Sequence, residues 1–187
     1  MRLDLHGVTL ECFYGDIADQ PGFAAVVNAA NAELLPGGGV AGAIHRAAGP
    51  ELARACRPLA PIEPGQAVLT DAFGLPNEQV VHCLGPVYGV DEPAAELLAS
   101  CYREALRLAE GYSLASIAFP AISTGAFRYP LAEAAPIATR TVVEACAGLQ
   151  HVERIRFVLW DLGSLRAHIE ALEAVVGPPA SSPPDGR

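Results

Sequence analysis

Lysine is absent from this chain of 187 residues, and all twelve basic residues are arginine. The absence of lysine excludes a lysine nucleophile, a Schiff base and a P-loop lysine. Acidic residues number 21 and the net charge is −9. This balance argues against direct binding to a nucleic-acid backbone, which requires clustered cations. A small anionic ligand held by backbone N–H groups is compatible with it.

No CxxC pair is present, and the five cysteines are odd in number and scattered along the chain. This spacing indicates neither a disulfide framework nor a zinc site, so we expect reduced, mostly buried cysteines, no metal and no cofactor. No apolar stretch approaches the ~20 residues of a membrane span, and Met1–Thr9 lacks the apolar block of a signal peptide. We therefore expect a cytoplasmic monomer without a membrane partner.

Apolar runs and helical periodicities alternate along the chain, which predicts a mostly parallel sheet with helices on both faces. The predicted strands are Val8–Tyr14, Ala24–Val27, Ala67–Asp71, Gln79–Leu84, Ile117–Phe119 and Ile155–Trp160. The predicted helices are Val40–Ala48, Pro50–Arg57, Pro93–Ala109, Leu131–Ala147 and Leu165–Val176. We expect one domain over residues 1–177 and a disordered tail, rich in proline and serine, over residues 178–187.

Ligand sites in such folds lie beyond the carboxyl ends of the strands, which directs attention to the loops at Gly15–Ile17, Asn28–Gly39 and Pro120–Pro130. The second loop ends in three glycines directly before a helix that carries His45. Glycines let the backbone approach a ligand, and the free N–H groups and the dipole of a helix start attract an anion. Three glycines alone are typical of a flexible turn, but with the neighbouring asparagines and this helix they favour an anion site.

The third loop carries Ser123 and Thr124, followed by the amides of residues 125–127. These groups are able to form a second concave nest for phosphate. The signal is weak by itself, because Ser-Thr-Gly is common in turns.

Six separated segments together resemble the macrodomain family, and specifically its MacroD-type hydrolase branch. They occur in family order between about Thr9 and Val176: Gly15–Ile17, Val27–Asn31, Gly37–Val40, Gly42–Gly49, His82–Pro86 and Phe119–Gly125. The resemblance implies a three-layer α/β/α sandwich around a mixed, mostly parallel six-stranded sheet. It also implies that the protein binds ADP-ribose and hydrolyses mono-ADP-ribose esters on Asp or Glu of proteins, or O-acetyl-ADP-ribose. Its partners would be ADP-ribose and mono-ADP-ribosylated proteins, and the family suggests a role in stress or DNA-damage responses.

The same resemblance assigns a role to each site residue. Asp16 would accept a hydrogen bond from the adenine amino group beside the Ile17 amide, and Asn31 would hold the distal ribose and, with His45, support catalysis. Trp160 would lie against the adenine, or it is a core tryptophan. The distal ribose and the diphosphate would be enclosed by Gly38, Gly39, Val40, Ser123, Thr124, Gly125, Ala126 and Phe127, with the Phe127 ring against the distal ribose. Asn28 is interpreted as bracing its loop, and His82 as a strand residue rather than a catalyst.

This chain departs from the branch at Ala41, where relatives usually carry an aspartate four residues before His45 on the same helix face. An aspartate would orient or deprotonate a water or a ribose hydroxyl, which alanine cannot do. Turnover would then rest on His45 or on the diphosphate of the substrate itself, unless His45 only braces the loop. The alternative is a non-catalytic ADP-ribose reader, and the motif does not separate the two.

A second departure is Arg128, where relatives generally carry glycine. It would lie near the diphosphate, contact the modified protein, or be a solvated surface arginine. A generic nucleotide-binding α/β protein is a third interpretation of the whole chain. The absence of both GxGxxG and a P-loop counts against it.

Overall fold

The computed structural model describes residues 1–177, and the tail at 178–187 lies outside the described residues. The strands are β1 (Arg2–Leu5), β2 (Val8–Tyr14), β3 (Ala25–Ala29), β4 (Ala67–Asp71), β5 (Gln79–Cys83), β6 (Ser116–Phe119) and β7 (Arg154–Leu159). The helices are α1 (Gly39–Ala48), α2 (Pro50–Cys56), α3 (Ala94–Gly111), α4 (Leu131–Cys146) and α5 (Leu162–Val176). Every predicted strand and helix is confirmed, with ends that differ by a few residues.

The strands form one sheet in the order β1-β2-β7-β6-β3-β5-β4. The inner strands β2, β7, β6, β3 and β5 run parallel, and the two outer strands β1 and β4 pair antiparallel with their neighbours. The mixed, mostly parallel sheet is therefore confirmed. Because the five parallel strands share a direction, the loops after them emerge at one edge, where ligand sites of such sheets lie.

The count of six strands was wrong, since β1 adds a seventh. Its residues Arg2–Leu5 alternate between exposed and half-buried, so no buried apolar run marks the strand in the sequence. It joins β2 through His6 and Gly7, which both have positive φ, as the tight turn of a two-residue hairpin requires. The dipeptide His-Gly is not among the common signals for that turn, which explains why sequence patterns missed it.

Adjacent residues of β3 show that helices cover both faces of the sheet. Val26 packs in one apolar cluster with Ile44 of α1 and Leu52 of α2. Val27 points to the opposite face and packs in a second cluster with residues of the other three helices, such as Leu98 of α3. Because successive side chains of a strand alternate between faces, a strand buried on both sides reads as a continuous apolar run. The three-layer arrangement follows directly.

All five cysteines are free and buried, as predicted. Burial raises the pKa values of their thiols, to about 11 for Cys12 and Cys56, so these thiols stay protonated at neutral pH. No helix within residues 1–177 is long and apolar enough to cross a membrane.

Candidate functional site

A cleft of about 330 Å³ opens at the carboxyl edge of the sheet, between the start of α1 and the loops that follow β3, β5 and β6. Its lining residues are Ala29, Ala30, Asn31, Gly37, Gly38, Gly39, Val40, Ala41, Gly85, Ala121, Ile122, Ser123, Gly125, Ala126 and Phe127. The two glycine-containing loops predicted as separate anion nests therefore face one cavity. None of the lining residues carries an ionisable side chain, so any negative charge bound here must be met by backbone and neutral polar groups.

The start of α1 supplies backbone donors to this cleft. The N-cap residue Gly38 has no side chain, and no acidic residue occupies the first helical turn. The first helical hydrogen bond runs from the Gly42 N–H to the Gly38 carbonyl, at 3.3 Å. Among residues 1–177, no backbone carbonyl accepts from the N–H groups of Gly39, Val40 and Ala41. Unpaired donors at the positive end of a helix dipole make this turn an anion site.

Two glycines of the cleft region leave no space for a side chain. A Cβ at Gly42 would collide with the Gly37 carbonyl oxygen, and one at Gly85 would collide with the Ser123 hydroxyl. Gly42 thus lets the loop before α1 lie directly on the helix, and Gly85 lets the loops after β5 and β6 touch. At Gly38, by contrast, an added Cβ would meet no atom within 4 Å. That position is open.

Asn31 lines the cleft, but its amide already braces the loop. The Asn31 Nδ2 donates to the Leu35 carbonyl at 2.8 Å, and its Oδ1 accepts from the Leu35 N–H at 2.9 Å. One Nδ2 hydrogen and one Oδ1 lone pair remain for a ligand. Replacing Asn31 would therefore disturb the loop as well as any ribose contact.

Ser123, in the loop after β6, combines an unfavourable backbone conformation with burial. It adopts the left-handed region at φ 66° and is only 6% exposed. Within the described chain, its Oγ has no hydrogen-bond partner although it is buried at the cleft wall. Such strain and an unsatisfied buried hydroxyl are both costly, and they are typical of positions that serve a ligand. Thr124 differs, because its hydroxyl donates to the Ala121 carbonyl at 2.9 Å and the residue does not line the cleft.

The residues predicted to hold adenine lie outside this cleft, at the neighbouring part of the same sheet edge. Tyr14 and Leu159 are paired in register at the ends of β2 and β7, so Asp16 and Trp160 leave the sheet from adjacent strands. Trp160 is 76% exposed, which makes the interpretation as a core tryptophan wrong. Ile17 is buried, and the Asp16 Oδ1 accepts from the Ala18 N–H at 2.9 Å.

His45 does not line the cleft. Ala41 lines the cleft from the first turn of α1, but His45, one turn further along, is only 6% exposed and is not a lining residue. Although the two residues share a helix face, only the first turn of α1 borders the cleft. Burial lowers the pKa of His45 and so favours its neutral form. The structure therefore places His45 behind the cleft wall, and its part in catalysis stays a prediction.

His82 belongs to a buried polar network, as expected for a strand residue. The Asn28 Nδ2 donates to the His82 Nδ1 at 3.0 Å, and the His82 Nε2 lies 2.9 Å from the Thr70 hydroxyl. The Thr70 hydroxyl donates to the Asp71 carbonyl, so the consistent assignment has His82 donating from Nε2. Burial, with a smaller effect of nearby His45, lowers the His82 pKa to about 3. Asn28 lies on β3 rather than in the loop where the sequence placed it.

Sequence reasoning missed the loop after β5 as part of the site. Gly85, which follows that strand, lines the cleft, as does Ile122 in the loop after β6. The rule that sites lie beyond the carboxyl ends of parallel strands applies equally to β5, and would have identified Gly85. Ile122 contributes only apolar surface, for which the sequence has no distinct signal.

Comparison with known proteins gives one consistent family. The Macro domain family model matches residues 27–138, a range that contains every residue lining the cleft. The O-acetyl-ADP-ribose deacetylase of Salmonella newport is 46% identical over 168 residues, which cover 87% of this chain and 93% of that protein.

Solved structures agree with the sequence match. The Oceanobacillus iheyensis macrodomain with ADP has a TM-score of 0.90 and 38% identity, covering 94% of this chain and 96% of that chain. The Trypanosoma brucei macrodomain in complex with ADP-ribose has a TM-score of 0.80 and 35% identity, covering 90% of this chain and 69% of that chain.

Proposed function

Because the chain belongs to the Macro domain family, we propose that its cleft binds ADP-ribose and that the protein hydrolyses mono-ADP-ribose esters on Asp or Glu side chains of proteins. The observation that carries the proposal is the pair of backbone anion sites facing one uncharged cleft. Relatives solved with ADP and with ADP-ribose support the ligand, and the relative named as a deacetylase supports ester hydrolysis.

The diphosphate is proposed to lie between the first turn of α1 and the loop at residues 123–127. The Val40 and Ala41 amides would donate from one side, and the Ser123 hydroxyl and the following amides from the other. Adenine would extend toward Asp16, Ile17 and Trp160, which leave the sheet beside the cleft. The distal ribose would then occupy the other end, near Asn31 and Phe127.

Binding in this arrangement relies on dipoles rather than on cations. The diphosphate loses water when it enters the cleft, and no charged side chain of the lining compensates for that loss. Preorganised backbone N–H groups donate hydrogen bonds in place of the lost water. Few counterions are exchanged when no cation pairs with the ligand. The affinity for ADP-ribose is therefore proposed to depend little on salt.

Hydrolysis would add water to the ester between the distal ribose and the protein carboxyl group. The products are the free carboxylic acid side chain and ADP-ribose, so one water balances the reaction. Within residues 1–177, no side chain that lines the cleft is a base, because Ala41 has no carboxylate and His45 is buried behind the lining. The water is proposed to be oriented by Asn31 and deprotonated with help from the substrate's own diphosphate. Removal of acetate from O-acetyl-ADP-ribose is the same chemistry on a smaller substrate.

An assay of released ADP-ribose tests this function. A peptide mono-ADP-ribosylated on glutamate should lose its ADP-ribose faster with the full chain than in buffer, in an amount equal to the unmodified peptide formed. A peptide modified on arginine carries no ester and should stay intact, which makes it the matched control. Absence of release above buffer, together with tight binding of ADP-ribose by calorimetry, would leave the chain as a reader.

The reader is the second candidate function, and Ala41 is the observation that favours it. A cleft without an ionisable group is suited to holding an anion but provides no general base. Positioning and backbone donors still lower a reaction barrier without such a base, which is why hydrolysis is the function proposed first.

A further inference from the structure

Arg128 adopts a backbone conformation that suits glycine better than arginine. Its φ is 57°, in the left-handed region, and its side chain is exposed. This region is unfavourable for an L-residue because its Cβ crowds the backbone, whereas glycine occupies it freely. Packing does not explain the residue, since the side chain is solvent-exposed. A strained, exposed charge beside a ligand cleft is the kind of position where strain serves function.

The backbone holds Arg128 firmly next to the cleft. Its N–H donates to the Gly125 carbonyl at 3.0 Å, and the carbonyl of the preceding Phe127 accepts from the Tyr88 N–H at 2.9 Å. Gly125 and Phe127 both line the cleft, but Arg128 does not. The arginine therefore starts from a fixed point on the rim, outside the cavity proposed for the diphosphate.

The guanidinium of Arg128 forms no ion pair within the described residues. Among residues 1–177, the arginines that form ion pairs are Arg2, Arg54, Arg103, Arg107 and Arg156. The carboxylate of Glu133, the next acidic residue along the chain, accepts from the Tyr88 hydroxyl, at 3.1 Å to each oxygen. Arg128 thus presents a free planar donor fork, whose geometry fits a carboxylate.

We propose that Arg128 is a specificity-determining residue that pairs with carboxylates of the protein substrate flanking the modified side chain. The inference rests on the proposed function. Pairing with Arg128 would favour modified proteins with acidic surroundings over O-acetyl-ADP-ribose. The diphosphate is the less fitting partner, because it would lie within the lining and Arg128 lies outside it. The modified protein, which is attached to the distal ribose, would leave the cleft past Phe127 and so pass close to Arg128.

Equilibrium binding of ADP-ribosyl peptides to the full chain tests this assignment. The peptides would carry ADP-ribose through a non-hydrolysable amide, with either glutamates or glutamines flanking the modified position. Wild type should prefer the acidic peptide by about 3- to 10-fold at low salt, as expected for a charged pair at a partly solvated rim. This preference should shrink as the salt concentration rises.

Two variants of Arg128 separate the effect of its charge from the effect of its backbone conformation. Arg128→Gly and Arg128→Gln should both reduce the peptide preference to near one and leave the Kd for free ADP-ribose within about twofold, because the guanidinium is outside the cleft. Arg128→Gly alone should raise the Tm, since it relieves the positive φ. Arg140→Gln, which removes an exposed arginine from α4, is the matched control and should keep the preference.

The outcomes separate this inference from the proposed function. An unchanged preference in both Arg128 variants, or an equal loss for free ADP-ribose and both peptides, would overturn the role of Arg128 while ADP-ribose binding stands. Failure of wild type to bind ADP-ribose at all would instead remove the proposed function.

Discussion

Replacing Gly38 with glutamate is expected to weaken ADP-ribose binding by at least about 100-fold while the protein stays folded. Gly38 has a φ of −85°, which any residue adopts, and an added Cβ meets no atom within 4 Å. The new carboxylate would lie in the uncharged cleft at the N-cap of α1. There it would accept from the same N–H groups as the diphosphate, and it would repel that diphosphate in a poorly screened environment.

Calorimetric titration with ADP-ribose would measure the loss of affinity, and thermal unfolding would show whether the variant stays folded. Gly38→Gln is the matched control, because it adds nearly the same volume without charge. It should lose much less affinity than Gly38→Glu, and neither variant should lower the Tm appreciably. Binding by Gly38→Glu within threefold of wild type would mean that the diphosphate does not approach the start of α1.

Replacing Ala41 with aspartate is expected to raise the rate of ester hydrolysis by about 10²-fold, at the lower end of the range for general-base catalysis. Ala41 is buried at the cleft wall, in the first turn of α1, so a carboxylate there would face the proposed distal ribose. The helix dipole would favour its ionised form. It would supply a base, which none of the described lining residues provides.

Ala41→Asn separates base catalysis from the effect of added volume. The asparagine has the same shape and no basic oxygen, so its rate should stay near that of wild type. Single-turnover release of ADP-ribose from the glutamate-linked peptide would measure the chemical step directly. Equal rates in wild type, Ala41→Asp and Ala41→Asn would show that a missing base does not limit turnover.

Most of the fold could be predicted because the buried strands appear in the sequence as short apolar runs. Val26 and Val27 face opposite layers, and both are fully buried, so the strand appears as an unbroken apolar run. The edge strand β1 escaped prediction because an exposed strand has no such run, and its His6–Gly7 turn gives no common signal. Pairing with β2 is a tertiary contact that local pattern does not contain.

The parts of the cleft that are formed by backbone groups of loops could be predicted from the sequence. The parts that depend on the direction of a side chain could not. Gly38 and Ser123 follow from glycine-rich and serine-containing loops at strand ends. The burial of His45 depends on the direction in which α1 leaves the cleft, which helical spacing alone does not give. The 76% exposure of Trp160 is likewise a property of the folded chain that its sequence position does not give, so the sequence left its two interpretations equal.

A crystal structure of the full chain with ADP-ribose would show whether this cleft holds the ligand. We expect the diphosphate within hydrogen-bond distance of the Val40 amide and the Ser123 hydroxyl, with adenine toward Trp160 and the distal ribose beside Asn31. Diphosphate density outside the cleft, or a reversed ligand with adenine at Asn31, would contradict it.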